Sequence, residues 1–443
     1  MPTAPRPPTA PGASPVVGHS LAFLRDPLDS LERWGRTDEP VVRLRIAGHS
    51  VCLVTDPDAV QRVLATDAAD YRKAEVVRDR LGTLQGGSLV LLEGEAWRER
   101  RQLLQSGFTG ERVAALGALT TEYATGMVAS WPTDRPVALG ERAGDLSLAI
   151  LASALFGLDL RGQRTPIHEA ADDILARMDM QSVSTYLPEW VPTPTNRRFR
   201  QAVTTLHERL EETVARRAAE DHGTETDLLA TMLAAGLAPE TVRDELVAFL
   251  FAGFDSTATA LACTLGLLGD DSDVQARLSR ELTRALGGQE PTPAALEAVP
   301  LLDAVVRESL RLYPPQYLLF REPRSAVTLG GYRVDPGDIV VLPPWVLHRD
   351  ERFWDEPAAF RPERWLDADG GRVDSGRPEY AYVPYGGGQR HCLGARLADQ
   401  VLRLVVAVVC QRRRLELVGE LSVSAGPTLS LDGELELDAP RRT

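Results

Sequence analysis

The stretch YGGGQRHCLG at 385–394 places one cysteine, Cys392, directly after a glycine-rich loop and just ahead of a helical pattern. Three successive glycines at 386–388 let the backbone adopt positive φ angles and pass close to a bulky flat group. The apolar spacing from Ala395 onwards predicts a helix, and amides at a helix N-terminus favour a thiolate over a thiol. These features indicate that Cys392 is a metal ligand.

A haem is a flat group of this kind, and Cys392 is suited to hold its iron. Amides that donate hydrogen bonds to the sulfur would tune the potential of that iron. The guanidinium of Arg390 is suited to bind a haem propionate at the porphyrin edge. The alternative is a buried structural cysteine behind a surface loop, which is preferred for a cysteine taken alone.

The stretch resembles the haem-binding signature of the cytochrome P-450 superfamily, in which an aromatic residue, a glycine, an arginine, the cysteine and a second glycine recur at fixed spacing. Those positions are held here by Tyr385, Gly388, Arg390, Cys392 and Gly394. The family more often has phenylalanine at the first position, so Tyr385 is a mild departure. The resemblance implies haem b with the Cys392 thiolate as its axial ligand.

A second motif, AGFDST at 252–257, lies in the middle of a long apolar stretch at 246–268. The stretch is long enough to span a bilayer. Asp255 would cost about 2.5 to 3.5 kcal/mol at a membrane centre, so we predict a buried core helix instead. The glycine and the two hydroxyls would weaken helical hydrogen bonding and permit a groove or kink.

In the resembled family this is the distal oxygen-activation motif, which ends on an acid followed by a threonine. Asp255 matches the acid, Ser256 replaces the usual threonine, and Thr257 follows. The resemblance implies that Asp255 and Ser256 relay protons to bound dioxygen. Loss of the threonine methyl leaves Ser256 freer to rotate, which puts the coupling efficiency in question. Taken alone, the motif is also explained as a polar trio that caps a helix break.

A third constellation matches a structural triad of the family. Glu308 and Arg311 lie three residues apart on one predicted helix face, and Arg364 in PERW matches the arginine that closes the triad. In most proteins such a pair is an ordinary surface ion pair that contributes little. The resemblance implies a buried triad that fixes the region around the cysteine loop.

Three further residues match propionate-binding positions of the family. Trp97 and Arg101 have the spacing of its propionate-binding pair, and Arg321 in LFREP lies where another propionate partner is expected. Taken alone, Trp97 and Arg101 would be a packed ring and a solvated charge on one helix.

Family positions also give a substrate pocket that is apolar apart from Asp255. Its lining is the loop around 81–92 together with Phe251, Ala252, Phe254, Tyr317, Leu318 and Leu319. A small, neutral, hydrophobic substrate is therefore expected. Terpenoids come first, because WRERRQLL and PEWVPTPTNRRFR resemble stretches of bacterial terpenoid and fatty-acid hydroxylases, and polyketide or macrolide scaffolds come second.

Composition sets outer limits on the fold and the partners. With 443 residues, 44% of them hydrophobic, the chain is globular and allows one large domain or two fused lobes. A formal net charge of -14 argues against nucleic acid and against an anionic membrane surface as partners. The four cysteines form no CxxC or CxxCH spacing, which disfavours zinc ribbons, iron–sulfur runs and c-type haem. A reducing cytoplasm is the simplest location.

The order of patterns predicts a mainly α fold with a smaller β region. Residues 1–20 form a proline-rich leader without an apolar signal-peptide run, and 21–443 are expected to form a single domain. Alternation at 39–56 predicts a hairpin, 57–269 is mainly helical, and strands return at 316–348. The resemblance implies the cytochrome P-450 fold, a triangular helical prism around buried haem b.

Together these matches identify the chain as a soluble bacterial cytochrome P-450 monooxygenase, which inserts one atom of dioxygen into a C–H or C=C bond. The sequence ends soon after the helix that follows Cys392, so a separate ferredoxin and ferredoxin reductase are expected to supply electrons to a monomer. Two alternatives stay open. A peroxide-using peroxygenase or isomerase is suggested by Ser256, and a non-catalytic haem-binding protein would show the same cysteine loop.

Overall fold

The structure is a computed structural model that describes residues 4–160, 165–178, 187–219, 227–373 and 376–442. It divides into two compact units. The sheet unit comprises Met1–Leu81, Leu310–Phe360 and Asp374–Cys392, and the helical unit comprises Gly82–Ser309, Arg361–Val373 and Leu393–Thr443. That residues 21–443 act as one domain stays a prediction.

Helices make up most of the described chain. They are α1 Ser20–Arg25, α2 Pro27–Gly35, α3 Pro57–Gln61, α4 Glu75–Gln85, α5 Gly94–Gln105, α6 Gly110–Ala115, α7 Gly117–Ala129, α8 Leu139–Phe156, α9 Pro166–Met178, α10 Pro194–Ala219, α11 Leu228–Ala234, α12 Pro239–Asp270, α13 Ser272–Leu286, α14 Pro293–Leu296, α15 Pro300–Leu312, α16 Pro344–Leu347 and α17 Ala395–Arg412.

The strands are short and confirm the smaller β region. They are β1 Val41–Ile46, β2 His49–Val54, β3 Tyr71–Arg72, β4 Val137–Ala138, β5 Leu319–Pro323, β6 Val327–Leu329, β7 Tyr332–Val334, β8 Ile339–Leu342, β9 Glu416–Val418, β10 Val423–Ala425, β11 Leu429–Leu431 and β12 Glu436–Asp438.

The sheet unit is organised by a five-stranded sheet in the order β1-β2-β8-β5-β3. The hairpin predicted at 39–56 is confirmed, with Val41 opposite Val54 across antiparallel β1 and β2. Its two turn residues, Ala47 and Gly48, have φ angles of 48° and 82°, as a two-residue type I′ turn requires. Strand β2 then pairs parallel to β8, and β8 pairs antiparallel to β5.

The proline-rich leader runs beside β1 in the sheet unit. Arg43 donates its N–H to the Pro8 carbonyl at 2.7 Å and accepts the Ala10 N–H at 2.9 Å. The buried His19 ring accepts the Arg45 N–H at Nδ1, at 3.0 Å. These contacts hold residues 8–10 and His19 of the leader against β1.

Helix α12 forms the core of the helical unit and runs without a break through AGFDST. A side chain at Gly253 would lie 2.7 Å from Leu151 Cδ1 on α8, so this glycine permits close packing of two helices. The alternative of a capped helix break is wrong, because Ser256 Oγ donates to the Ala252 carbonyl at 2.7 Å and the helix continues past it.

Two observations distinguish a core helix from a membrane span for the apolar stretch of α12. By length and composition, α12 is the one helix of the described residues that could cross a membrane, and 61% of its most apolar window is buried inside the protein. It packs against α8, α10 and α17. The prediction of a core helix is therefore confirmed.

Candidate haem site

The cysteine loop lies in the sheet unit and closes on itself. Gly386 and Gly388 have φ angles of 70° and 63°, which confirms the predicted positive φ. A short 3₁₀ turn covers Gly388–Arg390, and the Cys392 N–H donates to the Tyr385 carbonyl at 3.0 Å. This bond ties the two ends of the loop together and fixes the backbone that carries the cysteine.

The close contacts at the loop glycines are with the protein itself. A Cβ on Gly388 would lie 1.8 Å from the Leu64 carbonyl oxygen, and one on Gly387 would lie 2.7 Å from Tyr380 Cε1. We expected the glycines to let the backbone approach a flat group. The structure shows that Gly387 and Gly388 are also required by neighbouring residues of the sheet unit.

The chemistry of the four cysteines singles out Cys392. All four lie in described residues, none forms a disulfide, and Cys392 alone is exposed. Burial raises the pKa of Cys52 and of Cys410 to about 12, so these two remain thiols. Because iron requires the thiolate, an exposed cysteine on a closed loop fits an axial ligand, and the buried cysteines do not.

The other residues predicted to contact the haem lie in different environments. Arg390 is half-buried. The Tyr385 ring lies 6.3 Å from the His391 ring, centroid to centroid. Gly394, in the helical unit, is the N-cap residue of α17. Arg321 lies on β5, half-buried, and donates to the Phe320 carbonyl at 2.9 Å. Their predicted roles toward a haem stay predictions.

Trp97 and Arg101 share one face of α5 in the helical unit. The Trp97 ring is buried, and Arg101 Cζ lies 5.9 Å from its centroid, within range of a cation–π contact. The ring therefore orients the guanidinium, as a propionate-binding role would need.

On α12, Asp255 and Ser256 make different contacts. The Ser256 hydroxyl is bonded to the Ala252 carbonyl, and Thr257 is buried. The Asp255 carboxylate accepts a hydrogen bond from the Thr428 hydroxyl, in the turn between β10 and β11. Burial raises the pKa of Asp255, and the bond from Thr428 acts in the opposite direction.

Asp255 also lines a cavity of about 300 Å³ within the helical unit. Other carboxylate residues around this cavity are Glu141, Asp145, Asp172 and Glu434. Apolar side chains also line it, Leu148, Leu175 and Phe254 among them. Asp255 is thus one of five carboxylate residues that line this cavity.

Glu308 is the centre of a buried polar cluster in the helical unit. Its side chain is 0% exposed, and Oε1 accepts from Arg364 Nε at 2.9 Å and from the Arg361 N–H at 3.0 Å. Oε2 accepts from Trp365 Nε1 at 2.9 Å. The alternative of an ordinary surface ion pair of Glu308 and Arg311 is wrong, because both side chains are buried.

Arg311 is buried in the sheet unit and binds carbonyl groups. Its Nη1 donates to His348 and Pro357 at 2.8 and 2.7 Å, and its Nη2 donates to Ala359 at 3.1 Å. His348 Nε2 in turn accepts the Val383 N–H at 2.9 Å, in the segment that leads into the cysteine loop. Arg311 is thus linked through His348 to the segment that precedes the cysteine loop.

The predicted pocket residues differ in exposure. On α12, Ala252 is exposed, Phe251 is half-buried and Phe254 is buried, with a centroid distance of 6.0 Å between the two rings. In the sheet unit, Tyr317 and Leu318 are buried and Leu319 is half-buried. Their role in binding a substrate stays a prediction.

Sequence reasoning missed several residues that act on the predicted site. Thr428 lies 173 residues from Asp255 and belongs to no motif. His348 gave no signal of its contact with Val383. Asp244 and Glu245 directly precede the apolar stretch at 246–268, but both are buried, and each accepts an N–H of the segment between α4 and α5. Acids placed next to an apolar run were the only signal available.

A mainly helical chain with one exposed cysteine on a glycine loop has the features of a haem-thiolate protein. The cytochrome P-450 family model matches residues 7–425. The chain therefore belongs to the cytochrome P-450 family.

Curated relatives extend this result over nearly the whole chain. Cyclooctat-9-en-7-ol 5-monooxygenase of Streptomyces melanosporofaciens is 32% identical over 420 residues, covering 92% of this chain and 89% of the relative. Cyclooctatin synthase of the same organism is 29% identical, with coverages of 95% and 93%. Pentalenene oxygenase of Streptomyces avermitilis is 26% identical, with coverages of 92% and 91%.

Solved structures share the fold. The haem domain of cytochrome P-450DA has a TM-score of 0.88 at 23% identity, covering 100% of this chain and 99% of the other. A cyanobacterial CYP120A1 with bound retinoic acid has a TM-score of 0.88 at 24% identity, with coverages of 99% and 100%. The predicted cytochrome P-450 fold is confirmed.

Family membership settles the general activity and the cofactor. The chain is a cytochrome P-450 monooxygenase that binds haem b through a cysteine thiolate and uses dioxygen on a hydrophobic substrate. Cys392 is the cysteine whose exposure and loop fit this ligand.

Proposed function

We propose that this monooxygenase is a soluble bacterial enzyme that oxidises a neutral cyclic terpenoid in secondary metabolism. The observation that carries the proposal is the similarity to cyclooctat-9-en-7-ol 5-monooxygenase, 32% identical across 92% of this chain. The apolar side chains predicted to line the pocket, Phe251 and Leu319 among them, suit such a molecule. A polyketide or macrolide is the second substrate class.

Each residue predicted to contact the haem would have a separate role. Cys392 would supply the axial thiolate from its closed loop. Arg390, Arg321 and the Trp97 and Arg101 pair would bind the propionates, because guanidinium groups match carboxylates in charge and geometry. When bound, the haem supplies the dioxygen chemistry.

On the distal side, Asp255 and Ser256 would move protons, with Thr257 supporting them. A carboxyl group whose pKa is raised by burial holds its proton to a higher pH and is better suited to donate it near neutrality. The Ser256 hydroxyl donates its hydrogen to the Ala252 carbonyl. Its oxygen can therefore still accept a proton or a hydrogen bond.

Electrons would come from a separate ferredoxin and its reductase, with the monomeric enzyme in the cytoplasm. The buried Glu308 and Arg364 pair and the buried Arg311 would be structural. Each is enclosed by partners in its own unit, which leaves neither available for binding a substrate.

Ligand titration of the haem-loaded protein tests the substrate class. Cyclooctat-9-en-7-ol and pentalenene are expected to produce a substrate-type shift of the haem spectrum, whereas an anionic fatty acid is expected to bind at least about tenfold more weakly, the factor that a 1.4 kcal/mol difference gives. A shift with anionic or polar compounds alone would overturn the terpenoid proposal.

A peroxide-using peroxygenase or isomerase is the second candidate, because Ser256 stands where the family has threonine. We expect Ser256→Ala to divert reducing equivalents from product to hydrogen peroxide, and Ser256→Thr to couple at least as well as the wild type. Turnover with peroxide and none with ferredoxin, reductase and NADPH would select the second candidate. Binding without product under any electron supply would indicate a non-catalytic haem protein.

A further inference from the structure

Two neighbouring acids near the start of α12 hold the segment that joins α4 to α5, residues 86–93, which we call the 86–93 loop. Asp244 Oδ2 accepts the Gly87 N–H at 2.8 Å. Glu245 Oε1 accepts the Leu89 N–H at 2.9 Å. Two amides of the loop are thus bound by two consecutive side chains of one helix, all within the helical unit.

The carboxylate of Asp244 is oriented toward the loop by an arginine behind it. Arg243 Nη2 donates to Asp244 Oδ1 at 2.7 Å, and Arg243 Nη1 pairs with Glu211 at 2.6 Å. This leaves Oδ2 for the loop amide. The loop backbone can approach the Asp244 carboxylate this closely because residue 86 is glycine. Gly86 has a φ of 48°, and a Cβ there would lie 2.1 Å from Asp244 Oδ2.

The Glu245 side chain is more deeply buried than that of Asp244. Its side chain is 0% exposed, and the same Oε1 that binds Leu89 also receives Arg100 Nη1 at 2.7 Å. Burial raises the pKa of Glu245, while the Leu89 amide and Arg100 act in the opposite direction. A fully buried carboxylate is costly unless it is paired and hydrogen-bonded, so these contacts define one position for the loop.

The apolar side chains of the loop depend on these bonds. Leu89 and Leu91 are buried at 8% and 9% exposure, and the amide that Glu245 binds belongs to Leu89 itself. Moving the loop away from α12 would therefore change where both leucine side chains point.

We propose that Asp244 and Glu245 are positioning residues that set the size selectivity of the substrate pocket through the 86–93 loop. The proposal rests on the proposed function and on the prediction that the loop around 81–92 lines the pocket of a hydrophobic substrate. Neither acid contacts the substrate. Each acts through one backbone amide, and loss of either bond frees the loop so that bulky ligands enter and leave faster.

Hydrogen exchange of the haem-loaded protein tests the attachment directly. In Asp244→Ala and Glu245→Ala, the amides of residues 86–93 are expected to exchange at least about tenfold faster, as loss of a hydrogen bond to a charged group predicts. Glu212→Gln, on exposed surface of α10, is the matched control and should leave exchange unchanged. Unchanged exchange of the loop in both alanine variants overturns the proposal.

Ligand kinetics separate positioning from a general loss of stability. Clotrimazole, a bulky azole, and imidazole both coordinate haem iron, but only the bulky one needs the pocket to open. In the alanine variants the association and dissociation rates of clotrimazole should both rise about tenfold, because loss of a bond of about 1.4 kcal/mol raises the population of the open loop about tenfold, with those of imidazole unchanged. Equal changes for both ligands, or none for clotrimazole, contradict the proposal.

Conservative variants keep the test available if an alanine variant does not fold. Glu245→Gln retains an oxygen acceptor for the Leu89 amide and should stay nearer to the wild type than Glu245→Ala. Gly86→Ala should also release the loop, because the added Cβ would meet the Asp244 carboxylate. In the double variant with Asp244→Ala, which removes that carboxylate, the effect of Gly86→Ala should be smaller. Gly236→Ala is its control, because Gly236 also has a positive φ, of 70°, and a Cβ there meets no atom within 4 Å.

Failure of the proposed function is recognised separately. A wild-type protein without a thiolate-type carbon-monoxide spectrum, or without a spectral shift for terpenoids, would refute that function. The exchange result at 86–93 would still report on Asp244 and Glu245. A wild-type protein with both properties, and with variants that leave clotrimazole kinetics unchanged, would refute only the positioning role.

Discussion

The hydroxyl of Thr428 donates a hydrogen bond to the carboxylate of Asp255, and so joins the hairpin of β10 and β11 to the middle of α12. Asp255 is the acid of the proposed proton relay. Its pKa is raised by burial and lowered by this single bond. The hairpin near the C-terminus therefore helps to set the protonation state of a residue of the distal motif.

Replacing Thr428 tests whether its hydrogen bond helps to set the protonation state of Asp255. Thr428→Val removes a bond that favours the charged carboxylate, so the pKa of Asp255 should rise further and Asp255 should stay protonated to higher pH. We expect the alkaline limit of product formation per NADPH to move to higher pH, and Thr428→Ser to restore the wild-type profile. Superimposable pH profiles for the valine variant and the wild type would contradict this role.

The raised pKa of Asp255 also predicts a pH-dependent cost to stability. Because the folded state holds the proton to higher pH than the unfolded state, stability declines as pH rises from the ordinary aspartate pKa through the folded value. Asp255→Asn stays neutral and should stabilise the protein by about 0.5 to 2 kcal/mol at pH 7.5. In thermal unfolding followed by circular dichroism, this gain should vanish below about pH 4. A gain that is constant with pH would show that ionisation of Asp255 is not its cause.

Gly388 should not tolerate any side chain. Gly388→Ala adds a Cβ that would lie 1.8 Å from the Leu64 carbonyl, at a φ of 63°. Gly370→Ala is a matched control, since its φ is 80° but no atom lies within 4 Å of the added carbon. We expect Gly370→Ala to cost about 1 to 2 kcal/mol from the left-handed backbone alone. Gly388→Ala should lower haem content and the unfolding midpoint well beyond that, and equal effects would contradict the steric account.

Glu308 should matter far more than a neighbouring surface acid. Glu308→Gln leaves the Arg364 guanidinium, 6% exposed, without its charge partner, and breaking a buried pair costs about 3 to 5 kcal/mol. Glu363→Gln breaks an exposed pair with Arg277 in the same unit and should change stability by less than about 0.5 kcal/mol. Comparable losses of thermal stability in the two variants would show that the buried cluster is not structural.

Much of the fold followed from local pattern. The hairpin at 39–56, the long α12 and the helix after Cys392 were predictable because alternation and helical spacing are written in adjacent residues. The cysteine loop was predictable for the same reason. The packing that requires glycine at position 388 was not predictable, since the close approach of Gly388 to Leu64 joins segments more than three hundred residues apart.

The missing parts of the site share this cause. Asp255 was found from its motif, but its partner Thr428 lies in a short hairpin that carries no motif. Asp244 and Glu245 were visible as acids beside an apolar helix, and nothing local showed that each binds an amide of the 86–93 loop. Contacts distant in sequence decide these roles.

The carbon-monoxide difference spectrum of the reduced protein tests the central claim most directly. The wild type and Cys410→Ala, which alters a buried cysteine, are expected to give the thiolate-type band. Cys392→Ala is expected to lose it, because Cys392 is the exposed cysteine on the closed loop. A thiolate-type band that survives in haem-loaded Cys392→Ala would contradict the assignment of the iron ligand.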